Sequence, residues 1–302
     1  MATSKSSVPP AAVGRSGRFG AWRAVTALPA MVGSLLLLVV LFGGLGGALV
    51  LLGWLAAGAA LLTPCGERLA VQVSCGFHRP SAAQSVALAP LWAAALRQSG
   101  IAARRVDLYV RSARPPNAYA VGGRSVAVTT GIIEEYLVRR LTADELVAML
   151  VHELGHHATR ATRFTLLSDW LAAPWHLAAR LLISLGLAVS GRQPRALSAV
   201  VMSAGVIVAV VQAVQHRRWL VAGVLTGVAI LAVICPLVDA AVRRRSELAA
   251  DRFAAEHGLA IPLTSALRAL DGGRSVSCGW TRRIVAPHPT LDRRTEALAA
   301  PR

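Results

Sequence analysis

The chain has 302 residues, of which 55% are apolar and only 16% charged, and its formal net charge is +17. With a mean hydropathy of +0.54, this composition excludes an ordinary soluble globular enzyme and leaves long uncharged runs to be read as membrane segments. The charge invites a nucleic-acid reading, but no helix-turn-helix, finger or RNP-like pattern accompanies it, so no nucleic acid is expected as a partner.

Residues 1–24 form a polar, basic tail rich in Ser, Gly and Pro. From Val25 to Leu62 there is no charged residue. One helix of that length would measure roughly 57 Å against a bilayer core of about 30 Å. With "GGLGG" (Gly43–Gly47) at its middle, the run at 25–62 reads as a transmembrane hairpin with Trp22 and Trp54 as interfacial anchors, too long for a cleaved signal peptide.

A polar stretch, 63–164, follows. "SAAQSVALAPLWAAALRQSG" (81–100) has helical periodicity and a glycine stop; "RVDLYVR" (105–111) alternates as a strand; "NAYAVGGRSVAVTTG" (117–131) reads as a strand or hairpin broken at Gly122 and Gly123. Thr142-Ala-Asp-Glu145 is a capping box and predicts a helix running through "DELVAMLVHELGHHATR" (144–160). Random placement of eight His and eight Glu in this length would produce H-E-x-x-H in roughly 0.5% of chains. On a helix, His152 and His156 share one face and can offer two imidazoles to one cation, which suits zinc. Glu153, turned about 100° from His152, is placed to act as a base on a water at the open ligand position. His157 lies off the ligand face.

Apolar stretches at 171–190, 196–214 and 219–238 fill a second membrane block, 165–241, read as two spans and an interfacial helix. The last piece, 242–302, contains "RRRSELAADRFAAEHG" (243–258), where Glu247 and Asp251 lie four apart. Glu247 can be the third ligand, with Glu256 and Glu145 as competitors, and Asp251 can accept a hydrogen bond from the far nitrogen of a ligating histidine. Cys75 and His78 have C-x-x-H spacing near Cys65, but without a fourth ligand the cysteines read as ordinary thiols. The tail and the two polar pieces carry 4, 12 and 11 of the 32 basic residues. All three are therefore expected on one, cytoplasmic, face of the lipid bilayer. Arg217 and Arg218 then face outward. Lys5 is the only lysine, and this arginine bias points to a GC-rich bacterial genome and so to a bacterial cell membrane.

In order along the chain, "NAYAVGG" with "VAVTTGII" (117–133), "LTADELVAMLVHELGHH" (141–157), "RRRSELAADRFAAEHG" (243–258) and "HPTLDRRTEAL" (288–298) resemble the membrane zinc metallopeptidases that include the heat-shock protease HtpX and the CAAX prenyl proteases. The resemblance implies an α+β, mostly helical integral membrane protein, its zincin-type catalytic domain split by a membrane helical block. It implies one Zn2+ per chain on His152, His156 and Glu247, Glu153 as catalytic base, and Asp251 behind the ligands. It further implies His288 as a donor to the oxyanion with Arg294 positioning it or touching the carbonyl. The strand around Asn117, Ala118, Tyr119, Ala120, Val126 and Val128 would hold an extended polypeptide substrate by main-chain pairing. Short loops and "ATRATRF" (158–164), where the family often has an acidic residue, favour an HtpX-like endopeptidase on membrane or misfolded proteins over a prenyl protease. The competing reading is a zinc-binding membrane scaffold or sensor, against which Glu153 speaks because a structural site needs no base.

Overall fold

A computed structural model describes residues 19–190, 195–271 and 289–299. The described residues are mostly helical with one small sheet. They divide into two compact units: the described residues up to Ala24, Ala59–Leu167 and those from Ala240 onward form one, and Val25–Gly58 with Ser168–Asp239 the other.

The apolar unit draws on α1 (Phe19–Leu41), α2 (Gly44–Ala60), α7 (Thr165–Ser190), α8 (Arg195–Gln215) and the first part of α9 (Trp219–Glu256). Among the described residues, α1 and α9 are long and apolar enough to cross a membrane. A third candidate joins α2 to α3 (Pro64–Cys75) across a 100° bend. Proline 174 lies inside α7, and the amide of the next residue, Trp175, donates to the buried Ser34 Oγ at 3.0 Å. That bond is a use for backbone polarity where no water competes.

The polar unit is built on a four-stranded sheet of β1 (Phe77–His78), β2 (Asp107–Arg111), β3 (Ala118–Val121) and β4 (Ser125–Thr129), ordered β1-β2-β4-β3. β2 and β4 are parallel, while the β3–β4 and β1–β2 pairs are antiparallel. Val126 and Val128 face a core shared with α4 (Ala82–Ser99), α6 (Ala143–Ala158) and α10 (Ala260–Asp271); Ala127 faces the opposite side, against Val71, Phe77 and Tyr109. Successive side chains point to opposite faces, so one five-residue strand feeds both cores. α5 (Thr130–Leu137) follows β4 directly, capped by Thr129 Oγ1, and α11 (Leu291–Ala299) is the last described helix. The expected capping box at Thr142 forms, and a second one is found at Ser81. Ser81 and Gln84 start α4, and Thr142 and Glu145 start α6 with bonds of 2.7 and 3.3 Å.

The β3–β4 turn depends on one carboxylate from α3. Glu67, buried, accepts from the amides of Gly123 and Arg124, each at 2.9 Å, and from Ser125 Oγ at 2.8 Å. Gly122 has φ +63°, and a Cβ there would lie 2.6 Å from Glu67 Cδ, so the turn closes over the carboxylate only with glycine. Removing the carboxylate leaves three donors, the Ser125 hydroxyl among them buried, to find new partners. Glu67→Ala is expected to cost about 2–4 kcal/mol of stability, and Glu67→Gln less, because the amide oxygen still accepts. Thermal unfolding in detergent, followed by near-UV circular dichroism, measures both.

Candidate metal centre

α6 brings three of the expected residues to one place because its core face is continuous. Leu146, Leu150 and Leu154 are fully buried and fix its rotation, which sets His152 and His156 beneath the surface at 5% and 7% exposure. Their rings stand edge to face with centroids 5.0 Å apart. The end of α9 crosses α6 at Gly155, where a Cβ would meet Ala250 Cα at 3.1 Å and Phe253 Cβ at 3.2 Å. That close crossing carries Glu247 to both imidazoles. Its Oε2 is 3.5 Å from His152 Nε2, and its Oε1 is 3.4 Å from His156 Nε2.

The donor set fits a metal ion. The three ligand atoms lie within 4.8 Å of one another, and the His–Glu separations match the edge of about 3.3–3.4 Å expected of a tetrahedral zinc site with bonds near 2.0–2.1 Å. Electrostatics agree. Burial drives the His152 ring toward neutrality, yet Asp251 and Glu247 outweigh it and push its pKa up to about 10. A pocket that draws a proton so strongly favours any cation at that point.

Behind the ligands, His152 Nδ1 lies 2.9 Å from Asp251 Oδ1, close enough to donate its proton. Arg294 on α11 grips the same carboxylate in two places, Nε to Oδ2 at 2.8 Å and Nη2 to Oδ1 at 2.6 Å, and its Nη1 stands 3.9 Å from Glu247 Oε2. Burial pushes the Asp251 carboxyl up, but Arg294 and His152 hold it below its ordinary value. Glu153, part-buried on the same turn, is raised, chiefly by burial and against the pull of the two imidazoles. His156 Nδ1 is buried with no partner among the described residues.

The remaining expected residues fall elsewhere. His288 lies outside the described residues. Arg294 is committed to Asp251 rather than directed at a substrate carbonyl. Of the competitors for third ligand, Glu145 is the α6 cap and also accepts from Ser265 on α10, and Glu256 is exposed. Ala118, Tyr119 and Ala120 lie on β3, an edge strand, with Asn117 just before it. Val126 and Val128 do not join them at a surface. They lie in β4, fully buried and paired on both sides, by β2 and by β3, so their main chain has nothing left to offer a peptide. They support β3 from behind.

Two residues had no part in the sequence reading of the site. His157 Nε2 donates to the Ser125 carbonyl at 3.2 Å, joining α6 to β4. Its position beside the ligand face was legible, but its partner, 32 residues away, was not. Glu67 was signalled only by being the one acid between Thr63 and Val106.

The chain belongs to peptidase family M48. The model of that family matches residues 84–302, or 219 of the 302, a span that takes in the imidazoles, Glu247, Asp251 and Arg294. It is a metallopeptidase family and includes HtpX and the CAAX prenyl protease.

Two outcomes follow from this packing. Gly155→Ala gains roughly 0.5–1 kcal/mol of helix propensity but overpacks the crossing by about 1–3 kcal/mol. It is expected to fold with slightly reduced stability and to lose bound metal several-fold more readily to graded chelator. The second concerns His157, whose ring is held down to about 4, chiefly by burial, against about 6.5 unfolded. The unfolded chain therefore binds the extra proton first. Stability from this residue is intact above about pH 6.5 and is lost as pH falls toward 4, by about 3 kcal/mol. His157→Gln should unfold earlier at pH 7 and show a flatter stability profile across that window.

Proposed function

We propose that the chain is a membrane-bound, zinc-dependent endopeptidase that cleaves membrane or misfolded polypeptides. His152, His156 and Glu247 would hold one zinc ion, which supplies a Lewis acid for the scissile carbonyl and lowers the pKa of a water in the site. The observation that carries the reading is Glu153, a carboxylate with no cap or salt-bridge role among the described residues, one residue from His152. Burial raises its proton affinity, so it can take a proton from the attacking water and later hand it to the leaving amine. A structural metal site has no use for such a group.

Other residues position these. Asp251, 2.9 Å from His152 Nδ1, favours the proton on that nitrogen and leaves Nε2 with its lone pair toward Glu247. Arg294 compensates the buried charge of Asp251 and acts as a positioning residue. The β3 edge is the substrate platform. Thr129 N donates to Asn117 O at 2.9 Å, and from that pair the antiparallel alternation turns the main-chain groups of Ala118 and Ala120 outward. The Ala118 amide is meanwhile covered by Asn117 Oδ1 at 2.9 Å, a bond that an incoming strand can replace. The positive-inside rule supports a cytoplasmic position for the basic polar unit, and the arginine bias supports a bacterial membrane.

The test is Glu153→Gln beside the parent, both purified in detergent without chelators. Each is expected to retain about one zinc, while cleavage of an unfolded protein falls by at least a hundredfold in the variant. Equal cleavage by both removes Glu153 as the base, and a parent that binds no zinc after reconstitution removes the ligand set.

A further inference from the structure

At the C-terminal end of α6, on the polar unit, lies a second cavity of about 380 Å³, within the usual range for small-ligand sites. Three of its lining residues are arginines: Arg124, Arg160 and Arg163. Among the described residues neither Arg160 nor Arg163 has an acidic partner, and both are exposed. Arg163 lies over the Phe164 ring, 5.3 Å from its centroid. Arg124 spends Nη2 on the Arg104 carbonyl at 2.7 Å, while its buried Nε finds no acceptor among the described residues. The cavity's one carboxylate, Glu67, is already saturated by the three donors of the β3–β4 turn, and its one histidine, His157, is held neutral.

Two further observations narrow the ligand. Arg160 adopts φ +55° just past the end of α6, where glycine is the unstrained choice. An arginine there carries a backbone penalty with no ion pair to offset it. The apolar lining comes from Leu61 and Leu62, the end of the uncharged run that begins at Val25, and from Phe164, the residue before α7. Unpaired guanidiniums with a fork geometry suited to phosphate, bordered by side chains that adjoin apolar helices, match one amphipathic class of molecule. The basic "ATRATRF" segment supplies two of the three arginines.

We propose that this cavity seats the phosphodiester headgroup of an anionic phospholipid, held by Arg124, Arg160 and Arg163, with its glycerol and upper acyl carbons against Leu61, Leu62 and Phe164. The proposal is independent of the metal centre.

Native mass spectrometry of the full chain in neutral detergent, titrated with phosphatidylglycerol, tests it. One saturable lipid per chain is expected, with phosphatidylcholine at least tenfold weaker. Arg160→Asn with Arg163→Gln (asparagine tolerates the left-handed backbone) should weaken phosphatidylglycerol at least tenfold. Arg97→Gln with Arg105→Gln, which removes the same charge at exposed sites outside the cavity, should change it less than twofold. Leu62→Gln, at an exposed position that folding does not depend on, should weaken the lipid several-fold. Equal loss from both arginine pairs, or equal binding of phosphatidylcholine, overturns the site. Displacement of the lipid by equimolar inorganic phosphate or glycerol phosphate, or no effect of Leu62→Gln, overturns the lipid as its occupant.

Discussion

Two carboxylates one helical turn apart on α9, Glu247 and Asp251, are driven against two buried imidazoles, and the polar unit is arranged around compensating them. Isolated buried charge is costly, by several kcal/mol per ion even after relaxation. Asp251 meets that cost with Arg294 on one side and His152 on the other, all within 2.9 Å. Glu247 has the imidazole nitrogens at 3.4–3.5 Å, a spacing too long for good hydrogen bonds and suited to an ion between them. The site is thus a charge ladder whose last rung is a place for a cation. α11 belongs to it as much as α6 does, because without the guanidinium the ladder ends in an unpaired carboxylate.

The fold supplies the closeness this requires. α6 is buried along most of its length, and only a glycine at 155 lets α9 pass near enough for Glu247 to reach both rings. The sheet holds the other side. His157, one step past the second ligand, donates to the backbone of β4, so the turn of helix that carries the imidazoles is fastened to the strand behind the β3 edge. The β3 edge and the two imidazoles are held in register by neighbouring residues of a single helical turn.

What the sequence made legible was local. The His pair, the base and the capping box lie within sixteen residues of α6, and helical geometry alone relates them. The strands at 107–111 and 118–129 showed through alternation and paired glycines. Glu247 was not separable from Glu145 and Glu256 by spacing, because residues 157–246 stand between it and the second histidine, and only tertiary packing decides. The partner of Arg294 was hidden for the same reason: Asp251 is 43 residues away. The division placed at 241/242 marks no helix end, since neither glycine nor proline occurs between Pro236 and Gly258 to stop the turn, and α9 runs on to Glu256. Helices α3 and α5 went unread because each is short and begins at a threonine inside what looked like a loop or strand.

The separation of His156 from Glu247 by ninety residues, most of them apolar, also sets an order of events in time. The ribosome delivers Glu153 and the two imidazoles first, then α7, α8 and the apolar start of α9, then Glu247, and Arg294 after them. A nascent chain with its apolar helices still being inserted therefore holds only fragments of a cutting site. The cluster of Glu247, Asp251 and Arg294 around His152 can close only after the apolar helices between its two halves have been made.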